Sequence, residues 1–207
     1  MPGVAIRDSH TPDRPRHSAP VRVTHWITVV SFCALLVSGF AILLAHPRLY
    51  WGETGAVGTP SLIDLPLPFV LTGQSGWGRY LHFLAAWASV FTGIVYVLYG
   101  LRTRHFGQGL RRIYNPLQRL TYLIVVFALF PLMIWSGLAM SPAITSVVPG
   151  AVSVLGGQQS ARTIHFFVAT ALVLFVLVHI GMVSLAGFTS RVRMMTTGWT
   201  PAGTEQG

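Results

Sequence analysis

Two histidines lie fourteen residues apart in the last apolar run of the chain, His165 and His179 within TIHFFVATALVLFVLVHIGMV. In an α-helix, fourteen residues make just under four turns, so both rings project from nearly the same face, about 21 Å apart along the axis. That separation is most of the roughly 30 Å hydrocarbon core of a bilayer. Two stacked cofactors would need this arrangement, whereas a bundle packed only with side chains would not.

The composition indicates an integral membrane protein. Of 207 residues, 52% are hydrophobic and only 9% are charged, whereas a soluble domain carries about 25% charged residues. A net charge of +9 would favour nucleic acid as the partner of a soluble protein. Here the arginines cluster beside apolar runs, so we expect contact with the lipid bilayer and no nucleic-acid binding.

Four apolar runs are long enough to span a membrane, and they predict an all-α bundle of four transmembrane helices. The runs cover about residues 24–45, 80–101, 117–139 and 163–186. They form one predicted membrane domain over residues 21–190. A basic, proline-rich segment at 1–20 is predicted to be a disordered cytoplasmic tail, and residues 191–207 a second cytoplasmic tail.

Helix-breaking and small residues interrupt the apolar runs. Pro131 lies within the third run and is expected to kink that helix. Gly39, Gly93 and Gly137 lie inside runs, where small residues allow another helix or a cofactor to approach closely. Ordinary helix packing explains these glycines equally well.

The arginines predict the orientation in the membrane. Four spans place both termini on one side, and eleven of the fourteen arginines fall on that side. Since basic residues concentrate on the cytoplasmic side, both termini are predicted to be cytoplasmic. The eleven are Arg7, Arg14, Arg16, Arg22, Arg102, Arg104, Arg111, Arg112, Arg119, Arg191 and Arg193, and the other three are Arg48, Arg79 and Arg162.

This topology sorts four histidines into two pairs by depth. His82 and His165 lie near the outer surface, and His25 and His179 lie near the cytoplasmic surface. One such histidine is explained equally well as a helix–helix hydrogen bonder. Axial ligation of two haems by paired histidines explains all four at once, because haem iron takes two axial imidazoles and helix bundles hold cofactors in their cores.

Other redox and transport chemistries have little support in the sequence. No Asp or Glu lies within a predicted span, which argues against an ion-coupled transporter and against a carboxylate-bridged di-iron site. The single Cys33 rules out an internal disulfide and covalent haem attachment through CxxCH. We expect Cys33 to be a small buried apolar residue.

The order, depth and spacing of His25, His82, His165 and His179 resemble those of the bacterial di-haem cytochrome b family. This is the cytochrome b561 type, which includes the membrane subunits of nickel hydrogenases and of formate dehydrogenase. The resemblance covers about residues 20–190. It implies two haems b, ligated by His82 with His165 and by His25 with His179, and electron transfer to or from quinone in the respiratory chain.

Two further segments fit this resemblance. HPRLYWGETG at 46–55 resembles the external loop of a thiosulfate-reductase-like subgroup whose partners are periplasmic molybdenum-cofactor oxidoreductases. YNPLQRLTY at 114–122 resembles the start of the third helix, where a polar residue of the formate dehydrogenase relatives helps to bind quinone. The resemblance implies a quinone role for Asn115 and, less directly, for Gln118. An Asn–Pro pair is also common at the N-terminus of a helix, whatever its function.

Three arginines precede predicted haem ligands by one helical turn. Arg79 and Arg162 come three residues before His82 and His165 and could pair with the propionates of an outer haem. Arg22 stands in the same relation to His25. A role as simple anchors at the membrane interface explains them equally well.

The leading hypothesis is a cytochrome b subunit that transfers electrons between a periplasmic oxidoreductase, of molybdopterin type, and the quinone pool. Quinone reduction or quinol oxidation is the only reaction expected on this chain, and no residue is assigned as catalytic. A second hypothesis is a stand-alone di-haem quinone oxidoreductase that takes electrons from a small donor such as superoxide. A third is a haem-free membrane anchor for a periplasmic enzyme, which would leave the four histidines unexplained.

Replacement of His179 by Ala tests the inner pair. The variant should lose one haem and keep the outer one, because only one of the two predicted ligand pairs is broken. A pyridine haemochrome count on the purified variant measures this. A haem content equal to that of the wild type would refute the assignment of His179.

Overall fold

Long apolar helices dominate the computed structural model, which describes residues 18–55, 58–66, 75–103, 120–121 and 123–199. Three of them are long and apolar enough to cross a membrane. At about 1.5 Å per residue, each is about 40 Å long, which exceeds the bilayer core. The helices are α1 (Ala19–Ala45), α2 (Ser75–Arg102), α3 (Phe130–Ala139), α4 (Pro142–Val147), α5 (Gly150–Ser153), α6 (Gln158–Leu185) and α7 (Phe188–Thr197).

The three spanning helices α1, α2 and α6 begin about one turn earlier than hydropathy predicted. Helix α1 begins at Ala19, within the segment predicted to be a disordered tail, because Pro20 is compatible with a first helical turn. Helix α2 begins at Ser75, not near residue 80, and α6 at Gln158, not near residue 163. These added turns contain polar and small residues, which a hydropathy criterion does not count as membrane-spanning.

The third predicted span is described only in part. A π-helical turn at Val125–Leu129 leads directly into α3, and together they form an apolar helix that is shorter than the other three. Pro131 lies in the first turn of α3. Proline has no N–H and its ring clashes with the carbonyl four residues earlier, so a widened turn at this point relieves the clash. The remainder of the span at 117–139 includes residues outside the described ones, and a fourth crossing stays a prediction.

The spanning helices pack as two pairs, α1 against α2 and α3 against α6. A small apolar cluster of Val125, Val168 and Leu172 joins the π-helical turn to α6, and Phe32 of α1 packs against it. Most large apolar side chains point outwards instead, such as Phe91, which is 62% exposed. In a membrane protein this outward face contacts lipid, so the fold is a helical membrane bundle.

The segment between α1 and α2 contains a short ribbon. Strand β1 (Arg48–Leu49) pairs antiparallel with β2 (Ile63–Asp64), with Arg48 opposite Asp64. The Arg48 guanidinium lies 3.2 Å from the Asp64 carboxylate, and Leu49 beside it is only 1% exposed. The buried Leu49 side chain packs this ribbon against the helix bundle. The connection between α3 and α6 is also partly helical, since it includes α4 and α5.

The predicted C-terminal tail at 191–207 is in part a helix, which corrects the domain limit at residue 190. Helix α7 lies between two glycines with positive φ and is joined to the start of α1 by two side chains. Arg22 donates from Nη1 to the carbonyl of Thr196 over 2.8 Å, and Trp26 donates from Nε1 to the carbonyl of Met195 over 3.0 Å. The two ends of the membrane domain are therefore in contact.

The segment between α1 and α2 caps the N-terminus of α6. The carbonyl of Gly52 accepts the backbone N–H groups of Gln159 and Ser160, at 3.0 and 3.3 Å. The Gly52 N–H donates to the hydroxyl of Ser160 over 2.8 Å, and the Thr163 hydroxyl donates to the carbonyl of Tyr50 over 2.6 Å. The first N–H groups of a helix lack partners within the helix, so these contacts satisfy them and fix the position of α6.

Gly157, the residue before α6, is predicted to tolerate no side chain. Its φ is +111°, and a Cβ there would lie 2.6 Å from the carbonyl carbon and oxygen of Gly52. We expect Gly157→Ala to destabilise the detergent-solubilised protein by more than the roughly 1–3 kcal/mol of backbone strain alone. Thermal unfolding followed by circular dichroism measures this.

Gly187→Ala is the matched control. Gly187 has a φ of +93°, but a Cβ there would meet no atom of the described residues within 4 Å. The Gly187→Ala variant therefore has the backbone strain without a steric clash, and it should lose less thermal stability than Gly157→Ala. Equal losses in the two variants would show that the contact between Gly157 and Gly52 contributes nothing.

Candidate metal centre

His82 of α2 and His165 of α6 face one another near the N-terminal ends of their helices. Their ring centres are 6.2 Å apart, with the ring planes at 62°. A metal–imidazole bond is about 2 Å long and a ring nitrogen lies about 1 Å from the ring centre, so two imidazoles on one metal have centres about 6 Å apart. The distance between the ring centres is therefore compatible with both imidazoles binding one metal ion.

Each of these rings is held by a serine from the neighbouring helix. Ser38 Oγ of α1 lies 3.1 Å from His82 Nδ1, and Ser136 Oγ of α3 lies 3.0 Å from His165 Nδ1. Both serines are 0% exposed. Neither was singled out from the sequence, although a signal was present. Both runs contain a Ser–Gly dipeptide, and the glycines had already been noted.

The two glycines of these dipeptides lie against the same rings. A Cβ on Gly39 would lie 3.6 Å from His82 Cε1, and a Cβ on Gly137 would lie 3.4 Å from His165 Cε1. These are ordinary contact distances, and anything larger than a methyl group would enter the space beside each ring. Gly93 differs, since none of the described atoms lies within 4 Å of a Cβ built there.

His165 and His179 lie on one uninterrupted helix, α6, so they keep the predicted separation of about 21 Å. His179 stacks on Phe175 at 6.0 Å, with 24° between the planes. His25 lies in the second turn of α1 and makes an edge contact with Trp26 at 5.6 Å. The pairing of His25 with His179 stays a prediction.

The three predicted propionate partners have different surroundings. Arg162 is half-buried and its Nη2 donates to the carbonyl of His46, at the end of α1. Arg79 is exposed. Arg22 binds the carbonyl of Thr196, and its buried Nε has no hydrogen-bond partner within the described part of the chain. Arg162 and Arg22 therefore each connect two segments of the bundle, and a propionate role for any of the three stays a prediction.

His46 follows the last residue of α1 and lies close to two of these arginines. Burial lowers the pKa of His46 below its ordinary value of 6.5, and the positive charges of Arg162 and Arg79 lower it further. The imidazole is therefore neutral at pH 7. A neutral ring beside two cations adds no further positive charge to this outer end of the bundle.

Two other expectations from the sequence have different outcomes. Cys33 is exposed on α1, so the expectation that it is buried was wrong. Since lipid is as apolar as a protein core, an apolar side chain in a spanning helix has no need to face inwards. Asn115 and Gln118, the predicted quinone residues, lie outside the described residues.

Comparison with known proteins identifies the family. The family model of the prokaryotic cytochrome b561 matches residues 16–198. The chain belongs to the prokaryotic cytochrome b561 family. It is also 30% identical over 198 residues to the putative protein-methionine-sulfoxide reductase subunit YedZ1 of Azospira oryzae. The aligned region covers 82% of this chain and 90% of the relative.

Membership of the cytochrome b561 family confirms the resemblance based on the histidines and fixes the general role. The chain is a membrane protein of electron transport, and the family implies haem b as its cofactor. The paired rings of His82 and His165, their buried serines and the adjacent glycines fit that cofactor, because imidazole is a common ligand of haem iron and the glycines leave space beside the rings.

Gly39 tests the space beside the His82 ring. In Gly39→Val the added methyl groups extend beyond the Cβ position and collide with the His82 ring, so we expect the haem b content per chain to fall. Gly39→Ala is the control, since its Cβ would make only an ordinary contact at 3.6 Å. If the valine variant retains its full haem content, the glycine is not required at this site.

Proposed function

We propose that this chain is a di-haem cytochrome b subunit that carries electrons between a periplasmic oxidoreductase and the quinone pool of a bacterial inner membrane. The observation that carries the proposal is the 6.2 Å separation of the His82 and His165 rings on two different helices. One metal between two imidazoles accounts for that distance directly. When bound, haem b supplies one-electron redox chemistry.

The outer site is built from two helix pairs that contribute alike. In each pair the second helix provides the axial ligand, His82 from α2 or His165 from α6. The first helix, α1 or α3, provides a serine at the ring nitrogen and a glycine beside the ring. Two axial histidines close the iron to other ligands, so the residues favour electron transfer over activation of a bound substrate.

The inner site is proposed to use His25 and His179. Helix α6 provides one ligand to each site and therefore sets their spacing along the membrane normal at about 21 Å. A rigid helix that bears both ligands keeps this spacing constant, as electron transfer between two cofactors requires. The surrounding apolar side chains keep water away from the path between the sites.

The two ends of this path have different proposed partners. The relative from Azospira oryzae is named as a putative subunit of a protein-methionine-sulfoxide reductase, which supports an oxidoreductase as the partner. A periplasmic location and a molybdopterin cofactor for that partner are part of the proposal. At the cytoplasmic end, Asn115 is proposed to contact quinone beside the inner haem. The distribution of arginines supports cytoplasmic termini, and with them a cytoplasmic position for that end of the bundle.

Spectra of the purified protein with a haem count test the proposal. The difference between dithionite-reduced and oxidised spectra, with a pyridine haemochrome assay, should show two low-spin haems b per chain. His82→Ala and His165→Ala should each remove one haem, and the double variant should lose no more than either single variant, because both residues hold the same iron. His46→Ala is the control and should retain both haems.

Other outcomes of this experiment favour the alternatives. A colourless protein would defeat electron transfer and favour the haem-free anchor. Loss of two haems in the double variant would show that His82 and His165 do not share an iron. If two haems are present but no periplasmic subunit copurifies with the chain, and superoxide reduces it directly, the stand-alone oxidoreductase replaces the proposed partnership.

A further inference from the structure

We propose that Ser38 and Ser136 are positioning residues that fix the tautomer of His82 and His165 and thereby lower the reduction potential of the outer haem. This inference rests on the proposed function, because it concerns the same outer site. It assigns a role to two side chains that neither touch the metal position nor bind substrate. The hydrogen-bond geometry of the two serines is the basis for it.

Each serine hydroxyl lies between a ring nitrogen and a carbonyl of its own helix. Ser38 Oγ is 2.6 Å from the carbonyl of Ala34 and 3.1 Å from His82 Nδ1. Ser136 Oγ is 2.7 Å from the carbonyl of Leu132 and 3.0 Å from His165 Nδ1. The two arrangements agree within 0.1 Å, although they lie in different helix pairs.

The number of protons decides the direction of both hydrogen bonds. A carbonyl can only accept, so the single hydroxyl proton of each serine is donated to the carbonyl. The hydroxyl oxygen then presents a lone pair to the ring, so Nδ1 is the donor in this contact. The backbone carbonyls of Leu35 and Met133 are further acceptors for His82 and His165. A neutral imidazole carries only one N–H, so Nε2 of each ring keeps a free lone pair. That is the tautomer in which a histidine binds a metal through Nε2.

The same hydrogen bonds change how strongly the rings donate electrons. An acceptor at Nδ1–H makes an imidazole more basic at its other nitrogen. A more basic ligand stabilises the oxidised iron, which carries the higher charge, and therefore lowers the reduction potential. Both hydroxyls are 0% exposed, so bulk solvent does not replace them at the ring nitrogens.

The test is a spectroelectrochemical titration of the purified protein and its serine variants. Ser38→Ala and Ser136→Ala should each raise the midpoint potential of the same one haem and leave the other unchanged, with the haem count at the wild-type value. The double variant should raise it further, by about the sum of the single shifts, because the serines act on opposite ligands of one iron. Ser38→Thr and Ser136→Thr keep a hydroxyl that can bond to the preceding turn and should restore the wild-type potential.

Thr170→Ala is the matched control. Thr170 lies on α6, between His165 and His179, and its hydroxyl donates to the carbonyl of Phe166 over 2.9 Å. Unlike the two serines, it is exposed. Its removal deletes the same kind of intrahelical hydrogen bond without affecting a ligand ring. Both potentials should therefore stay at the wild-type values, which separates an effect on the ligand from an effect on helix stability.

Several outcomes would overturn the inference. Unchanged potentials in both alanine variants, or shifts of two different haems, refute it while the two-haem function stands. A wild-type protein without haem refutes the proposed function and this inference together. If an alanine variant fails to bind haem, the threonine variant decides: recovery of haem at the wild-type potential supports a role of the hydroxyl, and failure to recover it refutes that role.

Discussion

Lipid offers no hydrogen-bond partner, and this constraint arranges the whole molecule. Each polar group in the membrane core must be satisfied within the protein. The buried positions are accordingly occupied by small hydroxyl residues such as Ser38, Ser136 and Thr163, each 0% exposed, while Val30 and Leu174 are 69% and 58% exposed. Small residues let the helices approach closely, and their hydroxyls bond to the backbone of the same or a neighbouring segment. The interior is therefore polar enough to orient imidazole rings.

The outer site depends on a segment that provides none of its ligands. Residues Tyr50 to Gly52 bind the first turn of α6 through backbone and hydroxyl hydrogen bonds, and Arg162 binds the last carbonyl after α1. These contacts fix α6 relative to α1 and α2. Since His165 lies only two residues beyond Thr163, a shift of the cap would change the distance between the rings.

The two helix pairs show the same local design at this site. Ser–Gly on the first helix of each pair faces a histidine on the second, with almost equal distances on the two sides. One iron between the two histidines would thus have axial ligands in matched environments. The rings of His25 and His179 make aromatic contacts with Trp26 and Phe175.

Much of this protein is determined by local sequence. Apolar runs predicted the three long helices, because a helix in lipid needs about twenty apolar residues whatever its neighbours are. The spacing of His165 and His179 followed from the geometry of a single helix, and the order of the four histidines identified the family. The helix ends were less accurate, since polar residues at the interface continue the helices beyond their apolar part.

Only the tertiary structure decided which side chains meet. It placed Ser38 and Ser136 on the histidine rings, the segment between α1 and α2 on the start of α6, and Cys33 on the exposed surface of α1. Each of these depends on which faces of separate helices pack together. In a spanning helix both faces are apolar, so the periodicity that marks the buried face of a soluble helix is weak and the inward face is not encoded in any one segment.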